Sequence, residues 1–161
     1  MLRLKARDIP GRIVTGGYIL HSGLEKWQGD EERAKAIHGM AANAFPFLKD
    51  IPPAQFLRML AAGEIAVGGA LLLPIVPAAL AGTALTGFSG ALMAMYARTP
   101  AMRKPGSIWP SRAGMAVSKD IWMVGIGLGL MLSDRKDSSA SPNQADARVP
   151  SRTSGERRAR R

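Results

Sequence analysis

The sequence predicts an all-α fold: a four-helix transmembrane bundle with a short interfacial amphipathic helix and a disordered basic C-terminal tail. Two observations carry this prediction. No charged residue occurs between Ile65 and Ala97, and at about 1.5 Å per helical residue this run is too long for one crossing of a ~30 Å hydrocarbon core. The charges crowd instead into both ends of the chain and two connecting segments, although the overall content of 47% hydrophobic and 21% charged residues suits an ordinary domain.

Four apolar stretches are predicted to form a membrane domain over residues 9–133. The segment before it, residues 1–8, is basic. The tail after it, residues 134–161, has almost no large apolar residue, so it cannot bury a core and is predicted to be disordered. The predicted spans cover residues 9–27, 54–73, 78–97 and 113–132.

Individual residues define the bounds of the first span and the position of the turn between the second and third spans. The first span reaches the ~20 residues that a crossing needs only if it runs from about Ile9 to Trp27. Arg12 is expected to extend its charge to the membrane surface at one end of this span. Pro74 and Pro77 predict a tight turn between the second and third spans, because proline lacks an N–H donor and disfavours helix in the residue before it.

A shorter helix is predicted between the first two spans. Asp30 is a suitable N-cap, and apolar residues recur after it at helical spacing. These residues are Ala34, Ile37, Ala41 and Phe45. The pattern predicts an amphipathic helix lying on the membrane surface, with a solvated helix in a loop as the alternative.

Small residues predict how the spans pack. Between membrane helices, small side chains allow the backbones to approach closely. One small residue per turn occurs on the third span, and a shorter pattern occurs on the fourth. The residues are Gly82, Thr86, Gly90 and Ala94, then Gly125 and Gly129.

Composition excludes several classes of function. The chain has no cysteine, which removes disulfides, iron–sulfur clusters and dithiol redox chemistry carried by this chain. Its two histidines, His21 and His38, are too few for a histidine-rich metal site. The net charge of +10 comes from the ends and loops and forms no basic stripe on a helix, so no nucleic-acid partner is expected. No intrinsic cofactor is expected, with quinone kept as an alternative ligand.

Charged residues nevertheless occur within or beside the apolar spans, where they normally pair and face the interior. His21 and Glu25 share a helix face with Gly17, and Glu64 is expected to pair with Lys119. The candidate intramembrane polar cluster comprises His21, Glu25, Lys26, Arg58, Glu64, Lys119 and Asp120. It is either a pocket that handles protons or a polar ligand, or a set of pairs that locks the bundle.

Three segments resemble the DoxX family of small bacterial membrane proteins. They are "GRIVTGGYILHSGLEKW", "GEIAVGGALLL" and "KDIWMVGIGLGLML", and the resemblance covers roughly residues 10–133. It singles out Lys26, Glu64, Lys119 and Asp120, and it implies a four-helix membrane protein. It also implies a supporting role beside redox enzymes, since one member is a subunit of a thiosulfate–quinone oxidoreductase and others are associated with oxidative-stress partners.

The expected protein is therefore a multi-pass protein of the bacterial inner (plasma) membrane, a non-catalytic partner or anchor subunit for a soluble or membrane oxidoreductase or an oxidative-stress assembly. The alternatives are a subunit that binds quinone near Glu64 and Lys119, and a small-solute carrier.

Lys and Arg are more numerous in the two ends than in the connectors, which predicts cytoplasmic termini. The tail arginines are expected to bind anionic lipid. The three tryptophans are predicted at the outer interface.

Overall fold

The structure is a computed structural model that describes residues 5–138. Its regular elements are helices, and no strand occurs within that range; one isolated β-bridge joins Arg103 and Pro110. Short 3₁₀ segments occur at Pro46–Asp50 and Pro100–Met102. The α-helices are α1 (Ile9–Trp27), α2 (Glu31–Ala44), α3 (Pro53–Leu72), α4 (Ala78–Arg98), α5 (Met115–Ser118) and α6 (Ile121–Ser138).

Three stretches of the described chain are long and apolar enough to cross a membrane: Pro53–Leu72, Ala78–Arg98 and Met115–Ser133. They are consistent with a membrane protein. Helix α1 has the bounds predicted for the first span, but it is not among these three. Its 19 residues carry several charges, including Arg12 and Lys26, and these lower its apolar character.

The long helices form two antiparallel pairs, α1 with α3 and α4 with α6. The turn at residues 73–77 joins α3 to α4, where Pro74 and Pro77 predict it. We call this side of the bundle the turn end; the start of α1 and the end of α6 also lie there. The opposite side, with α2 and the connector at residues 99–114, is the α2 end.

Glycine allows α1 and α3 to approach closely. A Cβ atom added at Gly68 of α3 would lie 2.7 Å from the backbone nitrogen of Leu20, and one added at Gly23 of α1 would lie 2.9 Å from Cβ of Glu64. Both distances are too short for any residue with a side chain. The pair therefore depends on glycine at these crossings.

Helices α4 and α6 meet at a different glycine from the ones predicted. Gly82 and Thr86 of α4 pack against Gly127, and a Cβ added at Gly82 would lie 2.5 Å from the carbonyl oxygen of Gly127. Gly125 and Gly129 have no such neighbour within 4 Å, and neither has Gly90. The prediction for Gly82 and Thr86 is confirmed, whereas those for Gly90, Gly125 and Gly129 are wrong. Glycines alternate along "GIGLG", so spacing alone does not identify the inward one.

The predicted fourth span is interrupted. Helix α5 ends at Ser118, and α6 begins at Ile121 after a turn in which the carbonyl of Asp120 accepts from the N–H groups of Met123 and Val124. Helix α6 continues to Ser138, beyond position 134 where the tail was predicted to begin. The rest of that tail, and residues 1–4, lie outside the described residues.

Helix α2 packs on α3, and this contact favours the amphipathic prediction. Its N-cap is Asp30, whose carboxylate accepts from the N–H of Arg33 at 2.8 Å. Ala34 and Ala41 are buried. His38 stacks edge-on against Phe56 of α3, with ring centroids 5.5 Å apart. One face of α2 is therefore held against the bundle at its α2 end.

Substitutions at neighbouring glycines of α6 test the helix contact. Gly127→Ala should destabilise the protein by about 1–3 kcal/mol, because its Cβ overlaps Thr86 and the backbone of Gly82. Gly125→Ala is the matched control, and it should be neutral or stabilising by up to about 1 kcal/mol. Equal effects of the two on chemical unfolding in detergent would contradict the observed rotation of α6.

Candidate functional site

The candidate site is a buried ion pair between α1 and α3, and helical periodicity puts both partners on inward faces. The inward residues of α1 begin with Arg12, Gly16, Ile19 and Gly23, and one further turn reaches Lys26. The inward residues of α3 include Leu57, Ala61, Glu64, Gly68 and Leu71. Because the helices are antiparallel, Lys26 near the end of α1 lies beside Glu64 in the middle of α3.

Lys26 makes two strong interactions within this contact. Its Nζ atom donates to Oε2 of Glu64 at 2.9 Å and to Oγ of Ser22 at 2.6 Å. The side chain of Lys26 is 14% exposed and that of Glu64 is 8% exposed, so water screens the pair weakly. The expected pairing of Glu64 with Lys119 is wrong. Lys119 is exposed at the end of α5, whereas Gly23 lets Lys26 reach Glu64 directly.

Asp120 adds a second carboxylate to this neighbourhood. It is half-buried at the start of α6, within electrostatic range of both Glu64 and Lys26. Lys26 of α1, Glu64 of α3 and Asp120 before α6 thus bring one cation and two acids into one neighbourhood, and the direct ion pair is between Lys26 and Glu64. Such a cluster can lock the bundle, and it can also hold or pass a proton.

The other predicted residues of α1 face outward. His21 and Glu25 lie 3.9 Å apart, with side chains 74% and 53% exposed. Glu25 also lies 3.7 Å from Arg33 of α2. The expectation that these two residues join the intramembrane cluster is wrong. Gly17, His21 and Glu25 do share a face, but the close contact with α3 uses Gly16 and Gly23 instead.

Arg58 lies at the rim of a pocket of ≈ 400 Å³ at the α2 end, and Lys26 also lines this pocket. Glu31 and Lys35 of α2 also line this pocket, and they form an ion pair at 2.7 Å. The hydrogen bond from Lys35 and its positive charge hold the pKa of Glu31 below its usual value. The pocket thus carries charges of both signs.

Arg12 is a polar site that the sequence analysis misplaced. It does not extend to the surface; it is 3% exposed, and its guanidinium donates to four carbonyl oxygens at the turn end. The acceptors are Leu71 at 2.7 Å, Leu73 at 2.9 Å, and Ala70 and Val76 at 3.0 Å. The last carbonyls of a helix have no partner within it, so Arg12 satisfies the end of α3. Its spacing from Gly16, Ile19 and Gly23 is the signal that indicates an inward position.

A second polar contact ties the start of the described chain to α6. The hydroxyl of Ser133 donates to the carboxylate of Asp8 at 2.9 Å and 3.0 Å. Lys5 donates to the carbonyl of Ser133 at 2.6 Å, and Arg7 donates to the same carbonyl at 3.1 Å. The sequence analysis did not identify this contact. It places both ends of the helical domain at the turn end.

Among the side chains that the structure describes, no group of three histidine, aspartate or glutamate residues has the geometry of a metal site. His38 has a structural partner, since its Nε2 lies 2.9 Å from the carbonyl oxygen of Leu48. His21 is exposed.

A double-mutant cycle tests the buried ion pair. Glu64→Gln and Lys26→Met should each destabilise the bundle by about 3–5 kcal/mol, because each leaves one buried charge without its partner. The double mutant should recover much of that loss. Lys119→Met is the matched control and should change the free energy of unfolding by less than about 0.5 kcal/mol. Strictly additive single effects in detergent would mean that Lys26 and Glu64 do not stabilise each other.

Comparison with known proteins gives no relative from which the chemistry of the site can be inferred. No protein-family model, no curated protein and no solved structure matches this chain.

Proposed function

We propose that the chain is an integral membrane protein in which α1 crosses the bilayer together with the three apolar stretches, forming a four-helix transmembrane bundle. The ion pair between Lys26 and Glu64 carries this proposal. Helix α1 has too many charges to cross alone, but its inward charges are neutralised or hydrogen-bonded by α3. A helix with such partners avoids much of the cost of placing charge in hydrocarbon.

Its role, in this proposal, is that of a membrane partner or anchor subunit for a redox or oxidative-stress assembly. The order of the DoxX-like segments supports that class of function. Lys26 donates to both Glu64 and Ser22, and these contacts support a structural role for the cluster. The quinone-binding alternative requires Glu64 and Lys119 at one headgroup, and the exposure of Lys119 gives it less support.

The proposed location is the bacterial inner membrane, with both termini in the cytoplasm. The excess of Lys and Arg in the two ends supports this orientation. The contact of Asp8 with Ser133 supports placing both termini on the same side of the membrane, because it brings the two ends of the helical domain together. In this orientation α2, Trp27, Trp109 and Trp122 belong to the outer side, where exposed tryptophans suit the membrane interface.

Single cysteines test the spans and the orientation, since the chain has no native cysteine. Gln28→Cys and Ser107→Cys should react with an impermeant thiol reagent in intact cells. Ser139→Cys should react only after permeabilisation. Labelling of Ser139→Cys from outside would overturn the orientation, and release of the protein from membranes by alkaline carbonate would overturn the spanning proposal itself.

Site-specific photocrosslinking in native membranes tests the partner role. A crosslinker at Ser107 or Ile75 samples the two ends of the bundle, and one of them should capture an oxidoreductase or oxidative-stress enzyme. Tyr18 is the control position, because it is 73% exposed in the middle of α1 and should capture no such enzyme. A quinone-dependent rise in melting temperature that Glu64→Gln abolishes, without any captured enzyme, would favour the quinone-binding alternative.

A further inference from the structure

The pocket at the α2 end lies where three helices meet. Its walls come from the last turn of α1, the first turns of α2 and the start of α3. Trp27 and Leu57 supply apolar surface, and the volume of ≈ 400 Å³ suits a small polar group. Helices α1 and α3 cross the membrane in the proposed function, so the pocket lies at the level of the lipid headgroups.

Most charges in the pocket already have partners. Lys26 is paired with Glu64, and Lys35 is paired with Glu31. Within the described part of the chain, no residue pairs with the guanidinium of Arg58. Asp30 uses one carboxylate oxygen, Oδ1, as the cap of α2, and its other oxygen is available. Among the described lining residues, the pocket therefore retains one cation without an anionic partner, Arg58, and one carboxylate without a cationic partner, Asp30.

We infer that this pocket binds the zwitterionic headgroup of a phosphatidylethanolamine-type lipid. Arg58 binds the phosphate, because a guanidinium presents several N–H donors that match phosphate oxygens. Asp30 accepts a hydrogen bond from the primary ammonium group. The acyl chains extend along the apolar surface of the bundle, and Trp27 lies beside the headgroup at the interface.

The chemistry of the pocket distinguishes this lipid from its neighbours in a membrane. Phosphatidylglycerol offers the phosphate but no cation for Asp30. Phosphatidylcholine offers both charges, but its quaternary ammonium has no N–H to donate. Of these three headgroups, only phosphatidylethanolamine offers both a phosphate for Arg58 and an N–H donor for Asp30. The pocket therefore selects by hydrogen bonding as well as by charge.

The inference rests on the proposed membrane-spanning function, and native mass spectrometry of the full chain in detergent tests it. The protein is titrated with phosphatidylethanolamine, phosphatidylcholine and phosphatidylglycerol of matched acyl chains. The first should bind about three- to tenfold more tightly than the others. Soluble O-phosphoethanolamine should compete with it, since the same headgroup is recognised.

Two variants and two controls assign the binding groups. Arg58→Gln and Asp30→Asn should each remove the preference for phosphatidylethanolamine. Asparagine also caps helices, so Asp30→Asn leaves α2 intact. Arg112→Gln and Glu32→Gln remove exposed charges that do not line the pocket and should leave the preference unchanged.

Three outcomes would overturn the inference: equal binding of the three lipids, an unchanged preference in both pocket variants, or binding of O-phosphoethanolamine without binding of the lipid. Folding of each variant is checked by circular dichroism. A protein that resists carbonate extraction but shows no lipid preference would overturn this inference alone. Release by carbonate would overturn the proposed function as well.

Discussion

The bundle depends on one constraint: the two charged residues that α1 carries on its inward face have to find partners on α3 or the turn that follows it. Arg12 meets this requirement at the turn end, where it donates to four carbonyl oxygens. Lys26 meets it near the other end of α1 through Glu64 and Ser22. Since an unpaired polar group is costly in a non-aqueous interior, these two interactions set the register of the helix pair.

The close approach of the helices makes those interactions possible. Gly16, Gly23 and Gly68 remove the side chains that would separate α1 from α3, and Gly23 lies directly beside Glu64. Arg12 also donates to Leu73 and Val76 in the turn, so it couples the first helix pair to the start of α4. Close packing and the polar interactions of α1 therefore depend on each other, because a larger residue at a helix crossing would separate Lys26 from Glu64 and Arg12 from its carbonyl acceptors.

The candidate site was only partly predictable. Glu64 stands out because it is an acid beside a long uncharged run, and Lys26 and Asp120 lie in segments that flank apolar spans. The assignment of Lys119 as the partner of Glu64 failed, because spacing along one helix does not reveal which face meets another helix. His21 and Glu25 failed for the same reason: their face of α1 is rotated away from the one that carries Gly16 and Gly23. Arg12 lies on that inward face, although an arginine near a helix end is usually expected at the surface.

The sequence by itself determined the first three long helices and the turn between the second and third of them. The predicted 9–27 equals α1, and the predicted 54–73 and 78–97 differ from α3 and α4 by one residue at their ends. Apolar runs, prolines and caps act over a few neighbouring residues, so they can be identified without the fold. The tertiary structure decided which faces meet, which glycine of α6 lies inward, and that Lys26 binds Glu64. Those outcomes depend on the rotation of each helix about its axis, which only contact with the other helices determines.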